Sequence, residues 1–115
     1  MTPTERKALD EFVTAVRARY GARLVDIFVF GSRARGDATE DSDVDLAIVL
    51  EDGEWTFWNE KRQFADLVHD TLIDHGLYIQ ALPIRRSSWL DPSTHANPRF
   101  LRAIKHDARP VAEVA

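Results

Sequence analysis

The spacing of apolar positions along the chain predicts three helices and three strands. Apolar residues recur at helical intervals in three stretches, which we expect to be helical at 3–20, at 55–75 and from 98 onward. Short runs rich in β-branched and aromatic residues, typical of buried strands, occupy 24–30, 44–50 and 77–84. This order of elements predicts an α/β (α+β) fold, in which a small mixed sheet is flanked by helices.

Capping and turn-forming residues mark several ends of these elements. Thr2 and Glu5 have capping-box spacing and Pro3 suits a first helical position, so the first helix should begin there. Gly21 lies where a residue with left-handed backbone angles would end that helix. Pro83 has no N–H to donate to a neighbouring strand, so the third strand should end there or lie at an edge of the sheet.

Length and composition indicate one folded domain over residues 1–115. With 44% hydrophobic and 30% charged residues, the chain can bury a small core. The absence of cysteine excludes disulfides, thiolate nucleophiles and cysteine-based metal sites. No apolar run is long enough to cross a bilayer, and the N-terminus lacks the apolar stretch of a signal peptide. We therefore expect a cytoplasmic protein with no membrane partner.

Charge is distributed unevenly along the chain, and its balance bears on the class of ligand. The formal net charge is −4, from 15 basic and 19 acidic residues. Acidic side chains are concentrated between Asp37 and Glu54, and basic ones between Arg85 and Arg109. A mildly acidic protein is poorly suited to sequence-independent binding of long nucleic acid, which depends on neutralising many phosphates. A small anionic ligand and a protein partner both remain open.

The segment from residue 31 to residue 46 carries the candidate chemistry. Gly31 follows an apolar strand and permits a sharp turn that exposes backbone N–H groups beside the Ser32 hydroxyl, a geometry suited to phosphate. Asp43 and Asp45 start the next strand two residues apart, so their side chains should project from one face, roughly 7 Å apart. Two such carboxylates repel each other, and Mg²⁺ held together with substrate phosphates relieves that repulsion. The pattern predicts a metal–nucleotide site.

This arrangement resembles a known family. Gly31-Ser32, ten intervening residues and Asp43-x-Asp45 resemble the signature of the polymerase-β-like nucleotidyltransferase superfamily. The short chain and its Gly-Ser-Arg-Ala-Arg-Gly core resemble the minimal nucleotidyltransferase (MNT) branch of that superfamily. The resemblance implies Mg²⁺-dependent transfer of a nucleoside monophosphate from a nucleoside triphosphate, with release of pyrophosphate. It also implies that Gly31 and Ser32 bind the nucleotide, and that Asp43 and Asp45 are catalytic and bind the metal.

Three further positions bear on the activity that the resemblance implies. Arg33 and Arg35 could add cationic contacts to the nucleotide phosphates, or could belong to a solvated turn held against the acidic run that follows. The family usually has a third carboxylate on the next strand, which helps to bind metal and can act as a base toward the acceptor. That strand carries Gln80 at the corresponding place, and an amide cannot take a proton at neutral pH. The sequence therefore leaves open whether the site catalyses nucleotidyl transfer.

The resemblance also suggests a partner. It implies an antitoxin of a HEPN/MNT toxin–antitoxin module, which transfers AMP from ATP to a tyrosine of a HEPN ribonuclease toxin within a hetero-oligomer. Two alternatives stay open: neutralisation of the toxin by binding alone, with impaired catalysis, and transfer to a small molecule of the aminoglycoside type. Trp55, Phe57 and Trp58 are expected to pack in the core and at its boundary, although the two tryptophans could instead form an exposed partner-binding patch.

Overall fold

A four-stranded sheet lies at the centre of the computed structural model, which describes residues 1–39 and 43–114. Its strands are β1 (Leu24–Phe30), β2 (Val44–Leu50), β3 (Ile79–Arg85) and the two-residue β4 (Arg109–Pro110). They lie in the order β3-β2-β1-β4, with β1 antiparallel to β2 and β4, and with β2 parallel to β3. The sheet is therefore mixed, as predicted, with β1 and β2 in its interior and β3 and β4 at its edges.

The described residues form five helices around this sheet. They are α1 (Pro3–Tyr20), α2 (Ser32–Arg35), α3 (Phe57–His75), α4 (Arg86–Leu90) and α5 (Pro98–Asp107). The predicted capping box is present at the start of α1, because Glu5 N donates to Thr2 Oγ1 at 3.1 Å and Thr2 N donates to Glu5 Oε1 at 2.9 Å. None of the helices in the described part of the chain is long and apolar enough to span a membrane.

One face of the sheet, which we call the core face, packs against α1 and α3. Side chains alternate along a strand, so every second residue of β1 and β2 points toward these helices. Burying this apolar surface is the main stabilising contribution to the fold. The buried residues of this face include Leu9, Phe12, Val16, Ile27, Val29, Leu46, Ile48 and Phe64.

The opposite face, which we call the site face, is covered in part by α4 and α5. Its smaller buried cluster consists of Ala47, Ile84, Leu101 and Ile104. Phe28 and Trp89 pack against this cluster, and their rings stack with centroids 4.8 Å apart. β2 is thus buried on both faces over 46–50, whereas Asp43 just before it is exposed and Asp45 is half-buried. The chain is open to solvent at this end of the site face.

The structure differs from the sequence prediction where elements are short or capped. α3 begins at Phe57 rather than at residue 55, because Thr56 caps it by accepting the N–H of Asn59 at 3.3 Å. The predicted turn after β1 contains the single-turn helix α2, and the predicted loop after β3 contains α4. Pro83 lies within β3, at a sheet edge, where a missing N–H is tolerated.

The aromatic residues around the start of α3 lie largely at the surface. Trp58 is 71% exposed and Phe57 is 39% exposed, with their rings in edge contact. Trp55 is held more firmly, since its Nε1 donates to Glu51 O at 2.8 Å and the Arg85 guanidinium lies over its ring. The expectation of core and boundary packing is therefore wrong for Trp58, which is mostly exposed, whereas Trp55 packs against the core.

Candidate active site

Three strand ends meet at the open end of the site face. Asp45 lies opposite Phe30, the last residue of β1, in the antiparallel pair of β1 with β2. It lies beside Gln80 in the parallel pair of β2 with β3. Gly31 and Ser32 continue directly from β1. The sheet register thus brings the predicted phosphate-binding turn, one of the two aspartates and the residue on the third strand to one place.

The two aspartates of the motif differ in burial. Asp45 alternates with the core-face residues Val44 and Leu46, so it points to the site face, and it is half-buried, whereas Asp43 is exposed. Burial raises the pKa of the Asp45 carboxyl, and the charge of Asp43 raises it further, against the opposing effect of Arg35. The charged form of Asp45 is therefore incompletely compensated by the protein itself. A bound cation would supply the missing charge.

Gly31 fits closely against the Asp45 carboxylate. Its φ is 71°, in the left-handed region that residues with a Cβ disfavour. A Cβ at this position would lie 2.5 Å from Asp45 Oδ2, well inside contact distance. The absence of a side chain therefore allows the turn and the carboxylate to approach each other, and Ser32 begins α2 directly after Gly31.

The oxygen donors at this place suit a hard cation such as Mg²⁺. This ion is commonly held by one or two carboxylates together with substrate phosphates and water. Asp43 and Asp45 provide two carboxylates. Within residues 1–39 and 43–114, no cluster of three or more acidic, histidine or cysteine side chains is placed to hold a metal. The residues fit a metal that takes the rest of its ligands from a bound nucleotide.

Arg33 is anchored in the interior of the protein. Its Nη2 donates to Glu5 Oε2 at 2.8 Å, and its side chain is 8% exposed. Glu5 also belongs to the capping box of α1. The ion pair therefore joins α2 to the start of α1, which favours a structural role for Arg33 over the nucleotide contact that the sequence also allowed.

Arg35 lies on the other side of the turn and is half exposed. Its Nη1 donates to Asp107 Oδ2 at 2.8 Å and its Nε donates to Asp37 Oδ2 at 3.2 Å. Its positive charge lowers the pKa of the Asp45 carboxyl, against the larger effect of burial. Sequence reasoning missed Asp107. The available signal was an acidic residue in the last turn of a helix, a position where carboxylates are disfavoured.

Gln80 occupies the place where the family resemblance leads one to expect a third carboxylate. It is half-buried and neighbours Asp45 in the sheet, with both side chains on the site face. Its amide can donate and accept hydrogen bonds but cannot take a proton. Glu40 and Asp41, part of the acidic run noted in the sequence, lie outside the described residues.

The fold and the arrangement of turn and carboxylates define a class, the nucleotidyltransferases, and comparison with known proteins supports it. Residues 9–94 match the family model of the nucleotidyltransferase domain. Because this match spans most of the 115 residues, the chain belongs to the nucleotidyltransferase domain family.

Individual relatives show which nucleotidyltransferases this chain is similar to in sequence and structure. Two proteins of Methanocaldococcus jannaschii are each named "Putative protein adenylyltransferase". One is 41% identical over 78 residues, which cover 68% of this chain and 71% of the relative. The other is 32% identical over 74 residues, which cover 64% of this chain and 50% of the relative. A solved structure described as a "putative minimal nucleotidyltransferase" matches with a TM-score of 0.58 and 28% identity, covering 96% of both chains. Within the nucleotidyltransferase domain family, this chain is thus similar to proteins named as protein adenylyltransferases and to a minimal nucleotidyltransferase.

Proposed function

We propose that this protein transfers AMP from ATP to a tyrosine of a partner protein, with Mg²⁺ held by Asp43 and Asp45. The observation that carries the proposal is the half-buried Asp45 carboxylate, held against Gly31 and beside a second aspartate. The tyrosine oxygen forms a bond to the α-phosphorus of ATP, and the bond from that phosphorus to the bridging oxygen breaks. Pyrophosphate leaves with the bridging oxygen, and the phenolic proton passes to solvent.

The residues around the turn have separate parts in this reaction. Gly31 and Ser32 form the surface that receives the triphosphate, directly after β1. Arg35 adds positive charge near the phosphates. When bound, Mg²⁺ neutralises phosphate charge and stabilises the leaving pyrophosphate. Catalysis then depends on the positions of fixed charges, and this chain itself supplies no nucleophile.

Exposed aromatic side chains at the start of α3 and on α5 support a protein as the acceptor. Trp58 and Phe100 are 71% and 47% exposed. Phe57 and Phe100 line a cavity of about 230 Å³ between β3 and α5, together with Leu82. Leu82 follows Gln80 by two residues on the same strand, so the cavity opens on the same face of the sheet as Gln80. Aromatic residues exposed in this way are enriched at protein interfaces.

The resemblance to minimal nucleotidyltransferases makes a HEPN-type ribonuclease toxin the partner that we propose, in a hetero-oligomer with this antitoxin. Co-expression with a HEPN-type protein encoded beside it tests this. The intact mass of the toxin should increase by one or more AMP units with the wild-type chain and should not increase with Asp43→Ala/Asp45→Ala. Asp66→Asn removes one charge from an exposed part of α3 and should leave the increase in place. An unmodified toxin in all three samples would contradict the proposal.

The position of Gln80 favours a second function, in which the protein neutralises the toxin by binding alone. An amide beside Asp45 cannot serve as the base that the third carboxylate provides. In that case the toxin would keep its original mass and would form an equally tight complex with the wild-type chain and with Asp43→Ala/Asp45→Ala. Intact mass and size-exclusion chromatography of the same samples distinguish the two functions.

A further inference from the structure

Arg35 is held from two sides by carboxylates. Asp107 contacts its Nη1 at 2.8 Å and Asp37 contacts its Nε at 3.2 Å. The Asp107 side chain is 20% exposed, whereas that of Asp37 is 60% exposed. These contacts use two of the five N–H groups of the guanidinium. The shorter and less exposed contact makes Asp107 the firmer of the two anchors, since charge-assisted hydrogen bonds are screened by solvent.

The backbone around Asp107 is fixed on both sides. Asp107 is the last residue of α5, and Lys105 in the same turn donates from its Nζ to Trp89 O in α4. Two residues after Asp107, Arg109 pairs with Val29 of β1. Asp107 therefore links Arg35 to an element that is itself tied to the sheet.

The place of Asp107 in α5 is unfavourable for a carboxylate. The C-terminal end of a helix carries a partial negative charge, which favours cations and disfavours anions. A residue that opposes a local preference is expected to have a compensating role elsewhere in the structure. The ion pair with Arg35 is the compensating contact that the structure shows.

We propose that Asp107 is a positioning residue, which holds the Arg35 guanidinium beside the Asp43–Asp45 site so that it contacts the phosphates of bound ATP. This inference rests on the proposed nucleotide site and adds to it a residue 72 positions away from Arg35 in the chain. The geometry supports the placement, because Arg35 ends the single-turn helix that follows Gly31, and Gly31 lies against the Asp45 carboxylate. Asp107 acts through Arg35 and does not itself touch the nucleotide.

The dissociation constant of ATP in the presence of Mg²⁺, measured by isothermal titration calorimetry, tests this role. Asp107→Asn should weaken ATP binding about three- to tenfold, because the guanidinium loses its charged anchor. Asp107→Glu should restore part of the affinity. The melting temperature of Asp107→Asn should stay the same or rise, because the variant removes a negative charge from a helix C-terminus. Asp66→Asn is the matched control for loss of one charge and should leave both quantities unchanged.

A double variant separates positioning from an independent effect. If Asp107 acts through Arg35, then Arg35→Gln and Arg35→Gln/Asp107→Asn should bind ATP equally weakly. If the losses of ATP affinity from the two substitutions add up in the double variant, the inference is overturned. It is also overturned if Asp107→Asn lowers the melting temperature and leaves the ATP affinity unchanged. If the wild-type chain binds no ATP in the presence of Mg²⁺, both the proposed function and this inference are overturned. If the wild type and Asp107→Asn bind ATP equally tightly, this inference alone is overturned.

Discussion

At the scale of single residues, the site depends on the close approach of Gly31 to Asp45. Gly31 and Gly76 have nearly equal φ values, 71° and 69°, but their ψ values are −155° and 14°. Gly76→Ala, in the left-handed α region, should lose roughly 1–2 kcal/mol of unfolding free energy, and Gly31→Ala should lose more, because its backbone conformation is one that glycine alone readily adopts. A Cβ at Gly76 meets nothing within 4 Å, whereas one at Gly31 meets Asp45 Oδ2 at 2.5 Å. Gly31→Ala alone should therefore weaken ATP binding, by about tenfold or more. Denaturant unfolding and calorimetry measure both effects, and equal ATP affinities in the two variants would contradict the role of this contact.

Gln80 offers a second residue-scale prediction. Gln80→Glu places a carboxylate of the same shape beside Asp45, on the same face of the sheet. If the missing base limits turnover, this change should raise the rate of AMP transfer by about tenfold or more. Gln63→Glu makes the same substitution at an exposed position of α3 and should leave the rate unchanged. A rate for Gln80→Glu at or below that of the wild type would show that the amide is not what limits the reaction.

At the scale of elements, the start of α1 is coupled to α2 through Glu5. The hydrogen bond from the Thr2 backbone and the contact with Arg33 hold the pKa of Glu5 below its ordinary value, against the opposing effect of burial. Because the folded-state pKa is lowered, the stabilisation is complete above the ordinary value of 4.5 and is lost as the pH falls through the folded value. Glu5→Gln keeps the capping box but loses the carboxylate charge, so it should lose about 1 kcal/mol of unfolding free energy at pH 7 and almost nothing once Glu5 is protonated.

Unfolding free energies of the wild type and Glu5→Gln, measured across the acid range, check this pH dependence. Glu54→Gln changes an exposed carboxylate before α3 and serves as the control. A difference between wild type and Glu5→Gln that stays constant with pH would mean that the charge of Glu5 does not stabilise the join between the two helices.

Elements with a clear periodic pattern were predictable from the sequence. The bounds of α1, β1 and β2 agree with the expected segments, because each has a continuous apolar stripe or run and a capping or turn residue at its end. α2, α4 and β4 have four, five and two residues, too few for a periodic pattern to show. Their formation depends on neighbours that are distant in the chain.

The residues of the candidate site also differ in how far the sequence could predict them. Gly31, Ser32 and the two aspartates could be found because they form a local motif around two strand ends. The contact between Arg35 and Asp107 could not, because it joins positions 72 residues apart and depends on how α5 packs on the sheet. The sequence could align Gln80 with the expected carboxylate only through a resemblance, whereas the parallel register of β2 and β3 places it beside Asp45 directly.

At the scale of the whole molecule, the two faces of the sheet have different tasks. The core face is covered by α1 and α3 and contains most of the buried apolar residues. The site face is covered only in part, and its open end brings together the turn after β1, the start of β2 and the start of β3. Side-chain variants at this open end, such as Gln80→Glu, can therefore change chemistry at little cost to the core, which makes activity measurements on them interpretable.

The central claim is that the protein transfers AMP, and the origin of the transferred phosphorus tests it most directly. The purified chain, Mg²⁺ and the HEPN-type partner are incubated with ATP labelled on either the α- or the γ-phosphorus. We predict that label enters the partner from the α-phosphorus alone, and that Asp43→Ala/Asp45→Ala abolishes it. Label transferred from the γ-phosphorus, or none transferred from the α-phosphorus, would contradict the account.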